Sequence, residues 1–339
     1  MTDRFGRLPA PVRALLRPAP QPDWVPPMLA TLTDRRFSHP DWVFERKLDG
    51  ERCLAFRRGA GVRLLSRKRL RLEHTYPEVA DTLGAQATED FIVDGEVVAF
   101  EHGRTSFARL QQRLGITDPD RARRSPVAVF FYVFDLLHLE GHDTTALPLR
   151  ARKALLREAL VFRPPLRFTA HRNAEGEAYF ASACANGWEG LIAKRADAAY
   201  VSGRSSDWLK LKCSAGQEFV IGGFTDPAGS RVGLGALLVG YHDGDELVYA
   251  GKVGTGYSRA TLLDLRARLD ALETPDSPFR RDRIAERGVH WVRPELVAQV
   301  AFTEWTGDGK LRHPRFEGLR RDKLPREVVR ERPGGAARA

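Results

Sequence analysis

The chain has 339 residues and a mass of 38.0 kDa, 42% of them hydrophobic and 29% charged, with a mean hydropathy of -0.37. These values exclude disordered and fibrous classes, and no run approaches the roughly 20 apolar residues of a membrane span. Fifty-four basic against 44 acidic residues give a net charge of +10 and a pI near 9.8, which points to a polyanionic partner.

Residues 1–22 hold five prolines and four arginines without a sustained period, so a flexible N-terminal arm is expected there. The prolines also interrupt the apolar run that a secretory leader needs, and a cytoplasmic protein is expected. Asp41 to Phe56 (DWVFERKLDGERCLAF) predicts two short strands about an Asp-Gly turn, and Arg63 to Leu72 another strand with a basic fringe. Phe91 to Phe100 (FIVDGEVVAF) suggests a further hairpin, and Val127 to Leu137 (VAVFFYVFDLL) an apolar strand at the centre of a sheet. Helices are expected over Thr105 to Leu114, Ala151 to Leu160 and Glu175 to Asn186.

After Cys213 the texture turns to short strands punctuated by glycine, with an Asp243-Gly244 hairpin turn and a helix capped by Ser258. Five or so strands and one helix suit a small barrel of the OB type. The expected organisation is an arm over 1–22, an α+β domain over 23–214, an OB-fold β-barrel domain over 215–330 and a disordered tail over 331–339. Cys53, Cys184 and Cys213 show neither a CxxC pair nor metal-ligand spacing, which argues against a disulfide framework or a zinc site.

The first chemical signal is Lys47, in Glu45-Arg46-Lys47-Leu48-Asp49-Gly50-Glu51-Arg52. A lysine is a nucleophile only when neutral, and bringing its pKa from 10.4 to about 7.5 costs on the order of 4 kcal/mol, which burial or a neighbouring cation must supply. Downstream follow Asp94-Gly95-Glu96, Phe134-Asp135, Glu189-Gly190-Leu191-Ile192-Ala193-Lys194, Trp208-Leu209-Lys210-Leu211-Lys212 and Arg320-Arg321-Asp322-Lys323. Five of only nine lysines fall in this ordered set. In a strand, Lys210 and Lys212 share one face while Leu209 and Leu211 take the other. Glu96 and Glu189 supply the hard oxygen ligands that magnesium prefers.

This ordered set resembles the six motifs of the covalent nucleotidyltransferases, the superfamily of ATP-dependent DNA ligases, RNA ligases and capping enzymes. PPMLATLTD, EGLIAKRADAAYVSGRSSDWLKLKC, YAGKVGTGY and LRHPRFEGLRRDK are similar to the ligase module of the bacterial ligase D family, which seals breaks in non-homologous end joining. Leu48 and Glu51 stand where that family usually has aromatic residues.

The resemblance implies a nucleotidyltransferase (adenylation) domain of ATP-grasp-like α+β fold followed by the OB-fold domain. It implies that Lys47 takes AMP from ATP, with Lys210, Lys212, Arg320, Asp322 and Lys323 assisting catalysis. Glu45 would read the adenine amino group, Phe134 would stack on the base, and Asp49, Arg52, Arg67, Glu96 and Lys194 would complete the nucleotide site. Glu96 and Glu189 would hold Mg2+ or Mn2+, while Arg52, Arg67, Lys68, Arg69 and Arg71 would grip DNA. Arg320 and Lys323 could then act on ATP only if the second domain closed over the first, with a hinge near Ser214 to Gln217. Implied partners are nicked or broken duplex DNA, Ku and a separate repair polymerase, for a nucleoid-associated monomer. RNA ligation or capping, and a non-catalytic nucleic-acid-binding OB protein, are the alternatives; a requirement for GTP would mark capping, and intact Lys47, Glu96, Glu189, Lys210 and Lys212 argue against the non-catalytic reading.

Overall fold

The computed structural model describes residues 4–213, 215–280, 284, 286–321 and 323–332. The chain divides into two compact units, one ending at Cys213 and one spanning Ser214–Arg332. Among the described residues no helix is long and apolar enough to cross a membrane.

The first unit contains β1 (Met28–Leu32), β2 (Trp42–Arg46), β3 (Glu51–Arg58), β4 (Gly61–Ser66), α1 (Pro77–Gly84), β5 (Asp90–Glu101), α2 (Phe107–Gln111) and β6 (Val129–Leu139). It continues with α3 (Leu149–Ala159), α4 (Gly176–Ala185), β7 (Gly190–Arg195) and β8 (Gly203–Lys212). The larger sheet runs β6, β5, β3, β4, all antiparallel. The smaller runs β2, β7, β8, β1, with only β8 and β1 parallel. Alternation along the strands decides what each face buries. One face of the larger sheet sends Cys53, Ala55, Val93, Val97, Phe131 and Val133 into the main core. Its other face, through Leu54, Phe56, Ile92 and Phe134, packs with Met28, Tyr200 and Trp208, so β1 and β8 close against it. α4 covers the far side of the smaller sheet, placing Tyr179, Phe180 and Ala183 on Phe44, Leu191, Ala193 and Leu211.

Asp41 to Phe56 forms the two expected strands about the Asp49-Gly50 turn, but β2 belongs to the smaller sheet and β3 to the larger, so the turn carries the chain from one to the other. Three local expectations need correction. FIVDGEVVAF lies within a single strand, and Gly95 serves packing rather than a turn, since a Cβ there would meet the Phe131 ring at 2.5 Å and the Tyr132 carbonyl oxygen at 2.6 Å. The basic fringe after Ser66 is a turn, closed by the Ser66 N–H donating to the Leu70 carbonyl at 2.9 Å, with Arg69 at φ 62°. Finally, α2 is a short helix capped by the Ser106 hydroxyl, which accepts from the Arg109 N–H.

The arm expected over 1–22 is also corrected. Phe5, Leu8, Val12 and Leu16 pack against the main core, and Gln21 is 8% exposed with its amide donating to the Arg57 carbonyl at 2.7 Å. Prolines break long periodicity but suit a helix start, and Pro11 sits in the first turn of a short helix over Ala10–Arg13. The tail expected over 331–339 lies, from residue 333, outside the described residues.

The second unit contains β9 (Ala215–Thr225), β10 (Leu237–Asp243), β11 (Glu246–Val253), α5 (Arg259–Asp270), β12 (Val289–Val292), β13 (Val297–Phe302) and β14 (Arg315–Arg320). β9 is its spine, pairing with β10 on one edge and with both β12 and β13 on the other, while β14 adds to β13. Among the described residues this sheet does not close into the expected barrel. The Ser258 hydroxyl caps α5 by accepting from the Thr261 N–H, and Leu262, Leu265 and Leu269 enter the unit's core.

The cysteine reading is overturned as well. Cys184 and Cys213 form a disulfide with Cα atoms 5.2 Å apart, because pairing of β7 with β8 brings the end of β8 back beside α4. Cys53 stays free and buried. A crosslink over a sequence separation of 29 should restrict the unfolded chain by about 3–4 kcal/mol in the chain-entropy view. Urea unfolding with and without reductant should show this loss, and the Cys184→Ser protein should lose the difference between the two conditions.

Candidate active site

The register of the smaller sheet assembles the site. Gly190 on β7 lies opposite Lys212 on β8, Ile192 opposite both Lys210 and Glu45, and Lys194 opposite Trp208 and Val43. Opposed residues share a face, so Glu45, Lys194, Lys210 and Lys212 all stand on the side facing the larger sheet, whereas Leu211 is 2% exposed against α4. Lys47, one step past β2, continues the row: its N–H donates to the Gly190 carbonyl at 2.9 Å. Gly190 thus separates Lys47 from Lys212 with no side chain of its own. It has φ 147°, and a Cβ would stand 1.9 Å from the Leu211 carbonyl oxygen.

The turn after Lys47 is equally constrained. A Cβ on Gly50 would stand 2.2 Å from the Val97 carbonyl oxygen and 2.8 Å from a Val98 methyl. Asp49 fixes the turn to α2, its Oδ2 accepting from the Phe107 N–H at 3.3 Å while its own N–H donates to the Thr105 hydroxyl at 3.4 Å. Glu51, at the unusual position, is 6% exposed and accepts from the Tyr76 hydroxyl at 2.7 Å.

Lys47 Nζ donates to Glu189 Oε1 in a charged pair. Burial pushes its ammonium down, but Glu189, by charge and hydrogen bond, and then Asp49 and Glu96 outweigh it, so the pKa lies above the ordinary lysine value. The expected downward shift is absent from this arrangement, because the neighbours of Lys47 are carboxylates rather than cations. Glu189 Oε2 is buried without a hydrogen-bond partner among the described residues, an oxygen suited to a cation.

Glu45 is 2% exposed and held on both oxygens, Oε1 by Lys153 Nζ at 2.5 Å and Oε2 by Lys194 Nζ at 2.6 Å. Burial raises its pKa, but the two lysines win and hold it below the usual carboxylate range. Lys194 itself is pushed down, first by burial and then by Lys153, against the pull of Glu45. Phe134 is 8% exposed in the cluster between the sheets, with Lys194 Nζ 4.2 Å and the Arg52 guanidinium 4.7 Å from its ring centroid. Arg52 directs Nε and Nη2 to the two oxygens of Asp94, both at 2.5 Å, and Nη2 also to the Met28 carbonyl at 3.1 Å. Asp94 has 0% exposure and accepts from the Tyr200 hydroxyl at 2.7 Å, so Arg52 first of all neutralises a buried acid.

Sequence reasoning passed over Lys153 and Arg152 and gave Asp94 and Asp135 no role within their motifs; Arg152 pairs with Asp135, its Nε and Nη2 meeting Oδ1 and Oδ2 at 2.7 and 3.0 Å with neither side chain exposed. A signal existed for Lys153: with Leu149 and Leu156 it occupies the apolar stripe of α3, an odd place for a lysine. The remaining candidates lie elsewhere. Arg67, Lys68 and Arg69 line a shallow cavity of about 380 Å³ with Trp24, Pro26 and Leu29. Arg69 stacks 5.1 Å over Trp24, and Arg71 pairs with Glu73 at 2.8 Å. Arg320 ends β14 and Lys323 pairs with Glu218 at 2.8 Å, both in the second unit, while Asp322 lies outside the described residues.

The candidate site is thus a turn lysine gripped by an acid, beside a strand face carrying two further lysines. Comparison with known proteins gives the family. The profile described as "ATP dependent DNA ligase domain" matches residues 27–212, and "ATP dependent DNA ligase C terminal region" matches residues 230–323. The chain belongs to the ATP-dependent DNA ligases. The "Multifunctional non-homologous end joining protein LigD" of Pseudomonas aeruginosa is 39% identical over 324 residues, covering 93% of this chain and 38% of that protein. The corresponding DNA repair protein LigD of Mycobacterium tuberculosis is 38% identical over 315 residues, covering 91% of this chain and 40% of the relative. The chain therefore spans about two fifths of these relatives. The solved "mycobacterial DNA ligase D complexed with ATP and MES" superposes with a TM-score of 0.66 at 35% identity, covering 90% of this chain and 98% of that one.

Gly190→Ala should push β7 from β8 at the row shared by Lys47 and Lys212. We expect a loss of more than about 2 kcal/mol of stability together with weakened self-labelling by ATP. Thermal unfolding and a labelling assay on the same preparation check this, and a stable, fully active variant would contradict the register described.

Proposed function

We propose that the chain seals 3′-hydroxyl/5′-phosphate breaks in duplex DNA through a lysyl-AMP and a DNA-adenylate. The observation that carries this is the placement of Lys47 against Glu189 on the same strand-face row as Lys212, next to Lys210. In the first step Lys47 Nζ, having lost its proton, bonds to the α-phosphorus of ATP and pyrophosphate leaves. The adenylate then passes to the DNA 5′-phosphate, and the 3′-hydroxyl displaces AMP to close the break. Negative charge gathers on phosphate oxygens in each step, and Lys210 and Lys212 supply fixed cations there. Arg320 and Lys323 serve the departure of pyrophosphate, a task confined to the first step.

Glu96 and Glu189 are the residues that would hold magnesium or manganese, and the orphaned Glu189 Oε2 supports that fit. When bound, the ion would neutralise the carboxylates that raise Lys47 and draw charge from the phosphates, two carboxylates plus phosphate oxygens being a common way of holding magnesium. Arg67, Lys68, Arg69 and Arg71 form the proposed grip on the DNA backbone. The names of the LigD relatives support a setting in bacterial end joining; Ku and a separate polymerase are partners proposed on the family resemblance alone.

Incubation with labelled ATP or GTP followed by denaturing electrophoresis tests the class, and covalent label should come from ATP alone. Lys47→Ala should abolish that label yet still join a pre-adenylated nick, while Lys47→Arg should fail equally because a guanidinium stays protonated. Acid-labile protein-AMP on the alanine variant would refute the nucleophile. For DNA, log affinity should fall linearly with log salt by about 0.9 per neutralised phosphate, and Arg69→Ala with Arg71→Ala should reduce that slope by up to about two without changing ATP labelling. A salt titration on a nicked duplex reads it directly.

A further inference from the structure

Lys153 is a buried cation for which the steps above have no task. It is 2% exposed, and its Nζ donates to Glu45 Oε1 at 2.5 Å and to the Thr169 carbonyl at 3.0 Å. The other oxygen of Glu45 faces Lys194 Nζ at 2.6 Å, and that Nζ stands 4.2 and 4.1 Å from the ring centroids of Phe134 and Trp208. A carboxylate almost out of reach of solvent is thus flanked by one lysine on each oxygen, at the edge of an aromatic cluster.

An ionised carboxylate is an acceptor only, and each of its oxygens has two lone-pair sites. With one lysine on each oxygen, Glu45 keeps acceptor capacity for an amino group and has no donor to offer a carbonyl. Removing Lys153 leaves Glu45 with Lys194 on its other oxygen and leaves Oε1 buried and unheld, a cost the carboxyl relieves by swinging about the Lys194 contact or by taking up a proton at that oxygen. A protonated carboxyl carries an O–H and no longer separates the two kinds of base edge.

We propose that Lys153 is a positioning residue for base selection: by holding Glu45 Oε1 it keeps this carboxylate ionised and in place, so that a purine triphosphate with an exocyclic amino group at the six position is chosen over one with a carbonyl there. This rests on the reading of the chain as an ATP-consuming ligase, and it adds a residue that lies outside the motifs supporting that reading. A purely structural Lys153, tying α3 to the smaller sheet, would lower stability and affect all nucleotides alike. The neighbouring Arg152 already makes a comparable tie to Asp135 on the larger sheet.

The test is single-turnover self-labelling with ATP and with inosine triphosphate, which carries the carbonyl, on the full chain. The wild type should prefer ATP strongly. Lys153→Met should narrow the ATP-to-inosine ratio by at least about tenfold, chiefly by raising the ATP concentration needed for half-maximal labelling, since loss of a polar recognition pair discriminates between bases. Lys153→Arg should restore most of the ratio. If the methionine variant does not fold, Lys153→Gln, which keeps a donor but no charge, takes its place with the same expectation. A folded neutral variant with an unchanged ratio overturns the role of Lys153. Absence of label from either nucleotide on the wild type would instead overturn the ligase reading.

Discussion

The site depends first on a strand register. Because β2, β7 and β8 are antiparallel neighbours, one alignment fixes the lateral positions of Lys47, Gly190 and Lys212 in one row and of Glu45, Ile192 and Lys210 in the next. A slip of one residue would turn every one of these side chains to the face covered by α4. The apolar face guards against that slip, since Phe44, Leu191, Ala193 and Leu211 must all meet the helix. Packing on one side of a sheet therefore aligns charge on the other.

The region between the two sheets holds far more buried charge than a stable core needs. Arg52 with Asp94, Arg152 with Asp135, and Lys153 and Lys194 with Glu45 all lie near the junction of the two sheets. Such pairs contribute little net stability against well-packed apolar residues, because desolvation offsets their attraction. They do fix orientation: each carboxylate has its oxygens committed and each cation a set direction. A phosphate-handling centre gains from groups that need not reorganise when charge develops.

Much of this was legible in the sequence, and the limits have physical causes. Lys47 and its turn are local, so ERKLDG discloses the turn and the candidate nucleophile together. The alternation of Trp208 to Lys212 discloses the paired lysines. Hidden were the features that depend on distant neighbours. Lys153 and Glu45 stand 108 positions apart, and only the fold shows that the lysine on the α3 stripe answers an acid on β2. The strand β5 looks like a hairpin because Asp94-Gly95 imitates a turn, whereas its glycine makes room for the Phe131 ring. Proline density disguised the apolar series Phe5, Leu8, Val12 and Leu16. The sign of the Lys47 shift was missed for a similar reason: the acid that raises it, Glu189, lies 142 positions away.

The bond between Cys184 and Cys213 closes a covalent ring through α4, β7 and β8, and Glu189, Lys194, Lys210 and Lys212 all lie within it. Between β7 and β8 the chain passes over the surface, where Val201 is 43% exposed. A protease cutting there would leave two fragments still joined through sulfur, with the strand pairing that seats the lysines intact. The site has a topological backup: the continuity of its backbone and the connectedness of its parts are separate properties, and either can be lost while the other persists.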